Sequence, residues 1–257
     1  MKLLICITYH HTSDQHLKNL FFNLQNIKDT YICQYKVVIH VNSEQAKQLI
    51  LTDFPDTEVH VAGPMFHPWA LTWGHRQYMK DHINDYDVFM YIEDDMLIKY
   101  EQLTNYLETL ELVWPKYLPS FIRYELNDEG ERYALDIKKI DFNERNILSI
   151  NGKKYYKLYE LYCACWVLTA KLLKENITDE FTNTPTTHHQ IRTRAASYTN
   201  ATLKNALGMT TILELEEDKL QLSELCTVHH LSNRYIKFPV KKHFSVTKLT
   251  DIFKTEI

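Results

Sequence analysis

Glycine is scarce in this sequence, with five in 257 residues and the first at Gly63. That excludes a glycine-rich phosphate loop after the first strand, since such loops use glycine to bring backbone N–H groups up to a phosphate. Long apolar runs are missing too. No stretch approaches the roughly 18 apolar residues of a spanning helix, and the run Leu3 to Ile7 is too short for a signal h-region followed by a cleavage site. There is no excess of positive charge. The 29 basic and 33 acidic residues give a net charge of −4, which argues against nucleic acid as the main partner. The cysteines (Cys6, Cys33, Cys163, Cys165, Cys226) are odd in number, lie in apolar runs and lack the paired spacing of a zinc site. They are expected to be reduced core thiols in a cytoplasmic protein. Histidine is abundant at 13 residues, yet no His-x-x-x-His helix pair or His-x-Asp cluster is present. The usual signatures of a metal-dependent hydrolase are therefore absent.

What is present is an ordinary globular composition, 45% hydrophobic and 24% charged. The length suits a single α/β domain over 1–257, with a nucleotide-binding half (1–98), an acceptor-side half (99–236) and a basic tail (237–257). In the first half, apolar strands at Leu3–Tyr9, Tyr35–Val41, Val59–Ala62 and Val88–Ile92 alternate with helices. One helix opens at a Thr12/Gln15 capping box, one covers Glu44–Leu51, and one runs from Ala70 to Ile83. Such alternation predicts a mostly parallel sheet flanked by helices, and near-continuous apolar strands suit burial on both faces. The second half predicts hairpins at Ser120–Ile137 and Ile147–Tyr156, around Asn127-Asp128-Glu129-Gly130 and Asn151-Gly152, as antiparallel additions. Strands follow at Leu161–Thr169 and Thr210–Leu215, with a helix at Gln190–Leu207 between them.

The most apolar strand runs straight into Glu93-Asp94-Asp95. Open α/β sheets bind ligands outside the carboxyl ends of their strands. Three adjacent carboxylates repel one another unless a cation or strong donors lie among them, and Mg²⁺ or Mn²⁺ prefers such oxygen ligands together with substrate phosphates. If the strand persists, Glu93 and Asp95 point the same way and can share one ion. A solvated acidic turn is the simpler alternative.

The surroundings favour the metal site. Tyr91-Ile92-Glu93-Asp94-Asp95-Met96-Leu97 resembles the strand-borne Asp-x-Asp motif of GT-A glycosyltransferases. The opening Ile5-Cys6-Ile7-Thr8-Tyr9-His10 and the following helix resemble the first strand, corner and helix of family 2 transferases, and Trp73-Gly74-His75-Arg76 occupies the place of a donor-contacting segment. The resemblance covers roughly the first 100 residues. It implies a metal-dependent transferase of the GT-A fold that takes a sugar from a UDP- or GDP-sugar donor to a carbohydrate-containing acceptor. By that resemblance Thr8, Tyr9 and His10 line the nucleoside pocket, Arg76 faces the donor, Asp94 lies near the ribose or sugar, and Asp95 holds Mn²⁺ or Mg²⁺. Glu93 stands where the family usually has its first aspartate.

Several further positions follow. Trp69 or Trp73 can stack on a sugar or base, or pack in the core; Arg76 can serve a phosphate or make a structural salt bridge. His229 or His230 is expected as a late metal ligand, and only one of two adjacent extended residues faces a given ion. The family's general base follows the strand equivalent to Tyr162–Thr169, and the nearest candidates here are Glu180 and His189. The tail lysines Lys237, Lys241, Lys242 and Lys248 read as solvated, with weak contact to an anionic membrane surface as the alternative. A nucleotidyltransferase acting on sugar phosphates and a non-catalytic carbohydrate-binding protein are the competing functions. The missing glycine loop weighs against the first, and the strand-end carboxylates against the second.

Overall fold

A computed structural model describes residues 1–63, 67–135, 137, 140–158, 164–177, 179–183, 187, 210–216, 221–237 and 246–254. The chain divides into two compact units, Met1–Asp95 with Ala164–Gly208 and Met96–Cys163 with Met209–Ile257. Elements are numbered along the chain.

The first unit is built on β1 (Lys2–Tyr9), β2 (Gln34–Val41), β3 (Glu58–Val61), β4 (Val88–Glu93) and β12 (Cys165–Thr169). Their order in the sheet is β12-β4-β1-β2-β3. The first four strands are mutually parallel, and β12 runs antiparallel beside β4. This is the mostly parallel sheet that the alternating pattern predicts. Between the strands lie α1 (Asp14–Thr30), α2 (Glu44–Asp53) and α3 (Gly74–Asp81), while α5 (Ala170–Asn176) and α6 (Asp179–Thr182) follow β12. Leu20, Leu24 and Ile27 of α1 are buried against the sheet, each contributing about 1.5–3 kcal/mol.

Two boundaries differ from expectation. The N-cap of α1 is Ser13, not Thr12: its hydroxyl accepts from His16 N at 3.5 Å, and Gln15 is bonded to Asn19. The third helix does not start as an α-helix at Ala70. Pro68–Trp73 winds as a 3₁₀ segment first, because Pro68 fixes its opening and the His67 imidazole accepts from Trp69 N.

Residues paired across neighbouring strands share a face of the sheet. Ile5, Ile7, Met90, Ile92, Ile39 and Val41 line one face, which is aliphatic. Cys6, Thr8, Tyr91, Glu93, His40 and His60 line the other. Right-handed crossovers put α1 and α2 on the first face and α3 on the second. The contacts agree: His75 of α3 stacks on Tyr91 with ring centroids 4.1 Å apart, and Tyr78 of α3 lies against His40 and His60. Gly74 permits the close approach, since a Cβ there would come within 3.0 Å of His40 Cδ2.

The α3 face makes the protein acid-sensitive. His40 is 6% exposed and its Nδ1 has no hydrogen-bond partner among the described residues. Burial, helped by His60, lowers its pKa to about 4. Between about 6.5 and 4 the unfolded chain therefore binds the proton that the folded one refuses, so stability present above the unfolded value is lost as pH falls. The loss is on the order of 3 kcal/mol. Urea unfolding at pH 7 and pH 4 should show His40→Gln losing about 3 kcal/mol less than the wild type, the remaining loss coming from other buried groups such as His75, whose pKa burial also lowers; equal losses in both would remove His40 as a cause.

The second unit contains β5 (Met96–Leu97), α4 (Tyr100–Val113), β6 (Tyr117–Pro119), β7 (Ile122–Leu126), β8 (Arg132–Leu135), β9 (Ile140–Asp141), β10 (Ile147–Ile150), β11 (Lys153–Leu158), β13 (Thr210–Leu215), β14 (Thr227–His230), α7 (Arg234–Lys237), β15 (Val246–Lys248) and β16 (Phe253–Lys254). Both predicted hairpins form, β7–β8 and β10–β11. They build sheets of their own, ordered β15-β8-β7-β14-β5 and β10-β11-β13-β6, rather than extending the parallel sheet. Asn151 and Gly152 take φ of 49° and 81°, the two left-handed positions of a tight hairpin turn. The expected strand over Leu161–Thr169 is observed from Cys165, residues 159–163 lying outside the described residues, as does the expected helix Gln190–Leu207. No helix among the described residues is long and apolar enough to cross a membrane. Cys6, Cys33, Cys165 and Cys226 are free thiols, and all but Cys33 are buried.

Candidate functional site

Strand order reverses direction at β1: the chain proceeds outward through β2 and β3 and then returns to place β4 on the other side of β1. This is a topological switch point, the position where open α/β sheets leave a crevice at their carboxyl edge. The residues at that edge are the ones singled out in the sequence. Thr8 is in register with Glu93 on one side and His40 on the other, and Asp94 N donates to Thr8 O at 3.1 Å.

The acidic run leaves the strand as a turn. β4 ends at Glu93 and Asp94-Asp95 bend away, so strand alternation does not extend to Asp95 and does not align it with Glu93. Glu93 is half-buried, whereas Asp94 and Asp95 are 8% and 4% exposed. Asp94 turns to the α1 side, where its Oδ2 lies 3.3 Å from His16 Nδ1 and its carbonyl accepts from Asn23 Nδ2 at 3.3 Å. Burial, and after it the neighbouring Asp95 charge, raises the Asp94 pKa to about 6 against the pull of the His16 hydrogen bond.

Glu93 and Asp95 offer carboxylate oxygens, the donors that Mg²⁺ or Mn²⁺ takes when phosphate oxygens and water complete the shell. Among the described residues no three His, Cys, Asp or Glu side chains form a closed cage. The chemistry of these oxygens, and not a preformed cluster of three ligands, is what suits a hard cation.

The end of β1 is also organised. Tyr9 is buried, its hydroxyl bonded to His11 Nδ1 at 2.6 Å, and His11 N donates to Asn42 Oδ1 at 2.9 Å, tying the β1 and β2 ends together. Burial, then the Asp94 charge, raises the Tyr9 pKa and keeps the phenol protonated. His10 is half-buried, and burial, then His16 and His11, lowers its pKa. The Thr8 hydroxyl is buried with no hydrogen-bond partner among the described residues. Thr8, Tyr9, His10, Glu93, Asp94 and Asp95 are therefore gathered at one edge of the first unit.

Arg76 is 3% exposed. Its guanidinium carbon lies 4.6 Å from the Trp73 ring centroid and 4.9 Å from that of Phe181, and Nη1 donates to Phe181 O at 3.3 Å. The two tryptophans separate cleanly: Trp73 is buried and Trp69 is 57% exposed. Glu180 lies on α6, its side chain outside the description, and His189 lies outside the described residues.

His229 and His230 belong to the second unit. His230 Nδ1 lies 2.6 Å from Glu125 Oε1 with both side chains buried, and its ring stacks on Tyr235. His229 stacks on Tyr124 at 5.0 Å, and its Nε2 lies 3.3 Å from Asn233 Oδ1. Burial lowers the His229 pKa, so the ring is neutral at pH 7.

Sequence reasoning missed His16 and Asn23 as partners of the acidic run, and Glu125 as the partner of His230. A signal for the first pair was present: His16, Asn19 and Asn23 follow helical spacing along the buried face of α1, where polar residues need a partner. No comparable signal links Glu125 to His230, 105 residues apart.

No protein-family model matches the chain, and no curated protein matches it. Among solved structures, the chain is similar to S. aureus TarS 1-349 at 12% identity and a TM-score of 0.47, covering 92% of this chain and 63% of that one. It is similar to the same TarS segment in complex with UDP-GlcNAc at 13% identity and a TM-score of 0.42, with 90% and 61% covered. A CMP:2-keto-3-deoxy-manno-octonic acid synthetase complexed with CTP gives 11% identity and a TM-score of 0.43, with 82% and 88% covered. The chain thus spans about three-fifths of the TarS segment's length. At this level the likenesses carry no argument about activity.

Proposed function

We propose that this protein is a metal-dependent GT-A-type glycosyltransferase that takes a sugar from a nucleoside-diphosphate donor to a carbohydrate-containing acceptor. The observation that carries the reading is the placement of Glu93-Asp94-Asp95 beside Thr8 at the switch point of a parallel sheet. In this reading Thr8, Tyr9 and His10 hold the nucleoside, with the unpartnered Thr8 hydroxyl available to it. Asp94, braced by His16, is placed to accept from a ribose or sugar hydroxyl. Glu93 and Asp95 hold Mn²⁺ or Mg²⁺ through their oxygens. The ion, when bound, supplies neutralising charge to the leaving diphosphate. Arg76 is assigned to support of the turn ahead of α3, given its packing between Trp73 and Phe181. A nucleotidyltransferase is the competing enzyme, and the β1–α1 connection His10-His11-Thr12-Ser13 has none of the glycine its phosphate loop uses.

Calorimetric titration with UDP, GDP, CDP and ADP, with Mn²⁺ and with EDTA, tests this. One nucleotide should bind in the micromolar range with Mn²⁺ and at least tenfold more weakly in EDTA. Hydrolysis of the matching nucleotide sugars would then name the sugar. If none of the four binds to folded protein in Mn²⁺, the donor site is wrong and the carbohydrate-binding alternative takes its place.

A further inference from the structure

Asp94 is held at its amide, its carbonyl and its carboxylate. Asp94 N donates to Thr8 O at 3.1 Å, the Asp94 carbonyl accepts from Asn23 Nδ2 at 3.3 Å, and Oδ2 lies 3.3 Å from His16 Nδ1. Two of these contacts come from α1. His16 and Asn23 are seven residues apart in the sequence, close to two helical turns, so they share one face. Asn23, Leu20, Leu24 and Ile27 are buried, and His16, in the first turn, is half-buried. The His16 backbone is fixed as well, its N–H donating to the N-cap Ser13 Oγ at 3.5 Å. The group that meets the carboxylate is therefore carried on a packed, capped helix.

These contacts divide the work. Thr8 and Asn23 hold the Asp94 backbone and so fix the path of the turn whatever the side chain does. Of the three residues, His16 is the one that bonds the carboxylate. An ionised carboxylate accepts at about four lone-pair sites, so one N–H from the α1 side orients the group and leaves acceptor capacity for a ligand hydroxyl. Without that bond the side-chain torsions of Asp94 are released, and a hydroxyl has to order the carboxylate as it binds. Orientation matters most to a hydroxyl, which is bonded along one direction. It matters less to the cation, which is assigned to Glu93 and Asp95.

On this basis, and resting on the glycosyltransferase reading above, we propose that His16 is a positioning residue of the donor site: it holds the Asp94 carboxylate in the orientation that accepts from a ribose hydroxyl, and so sets the preference for ribonucleotides over their deoxy analogues while leaving the metal dependence unchanged. The ligand class is a ribonucleoside diphosphate.

The test uses the full chain at pH 8 in Mn²⁺, titrated calorimetrically with the nucleoside diphosphate found to bind in the panel above and with its 2′-deoxy and 3′-deoxy analogues. At least one deoxy analogue should bind the wild type about tenfold more weakly, or about 1.4 kcal/mol, in keeping with one lost hydrogen bond to a charged group. His16→Leu puts a methyl group where Nδ1 stands and should cut that ratio to about threefold or less, by weakening the ribonucleotide while leaving the deoxy analogue unchanged. His16→Asn carries an N–H donor at the same place on the same Cβ–Cγ frame and should restore the ratio, which a merely structural role would not do. His16→Ala carries the same test should the leucine variant fail to fold. The ratio of affinities in Mn²⁺ and in EDTA should stay within about twofold of the wild type in every variant. Four results overturn the proposal: no discrimination against either deoxy analogue by the wild type, an unchanged ratio in His16→Leu, a ratio that His16→Asn does not restore, or loss of the Mn²⁺ dependence in His16→Leu. In each of these the nucleotide still binds the wild type and the donor site stands. Failure of every nucleotide to bind the wild type in Mn²⁺ is instead the failure of the glycosyltransferase reading.

Discussion

Asp95→Asn should weaken Mn²⁺-dependent nucleotide binding by roughly a hundredfold, about 2.7 kcal/mol, while raising the melting temperature of the metal-free protein. The two effects share one cause. Asp95 is 4% exposed and stands beside Asp94, whose pKa its charge helps to raise. Adjacent buried carboxylates repel one another beyond what donors such as His16 offset, so in the proposed metal site the cation-free state carries part of that repulsion. Replacing one charge relieves the repulsion and removes the ligand. A gain of about 1 kcal/mol, or some 2–4 °C for a chain of this size, should be visible by calorimetric melting in EDTA and absent with Mn²⁺ and nucleotide present. A variant that binds nucleotide as well as the wild type in Mn²⁺ would remove Asp95 from the metal site. A variant that melts well below the wild type in EDTA would show the side chain to be structural.

Glu125→Ala should be the most destabilising single change in the second unit, by about 3–5 kcal/mol. Glu125 is fully buried, with Oε1 at 2.6 Å from His230 Nδ1 and Oε2 accepting from Ile236 N at 2.8 Å. Truncation leaves a buried imidazole and a backbone N–H without the acceptor each now has from this carboxylate. His230→Phe keeps a ring against Tyr235 but leaves the carboxylate buried with one partner fewer, and should cost a similar amount. The double variant Glu125→Leu/His230→Phe should recover much of the loss, because a buried hydrogen-bonded pair replaced by apolar groups is far cheaper than one broken in half. Denaturation midpoints in guanidinium measure all three. Strictly additive losses would mean that the two side chains do not act as a pair, and this would return His230 to consideration as a group kept for chemistry rather than stability.

Much of the first unit was legible in the sequence because its signals are local. Apolar runs at Leu3–Tyr9, Tyr35–Val41 and Val88–Ile92 are the observed strands to within a residue at each end, since a strand buried on both faces is written as an uninterrupted apolar run. The hairpin at Asn151-Gly152 was legible for the same reason, its left-handed turn residues being specified in place. Boundaries were less secure. Thr12 and Ser13 are both capping residues, and only the geometry of the first turn selected Ser13. Pro68 opens a 3₁₀ segment where periodicity alone reads an α-helix from Ala70.

The candidate site divides in the same way. By itself the sequence determined that three carboxylates end the most apolar strand, that no glycine loop follows the first, and that Trp69, Trp73 and Arg76 cluster around the start of one helix. These are properties of neighbours along the chain, where strand period and residue chemistry suffice. Only the tertiary structure decided that β4 lies beside β1 rather than beyond β3, which puts Glu93 level with Thr8 and makes that edge a crevice. It also chose Trp73 for the core and left Trp69 exposed, paired Asp94 with His16, and closed Glu125 onto His230. Each of those outcomes depends on which distant surfaces are removed from water together, and desolvation of that kind has no period along the chain from which it can be read.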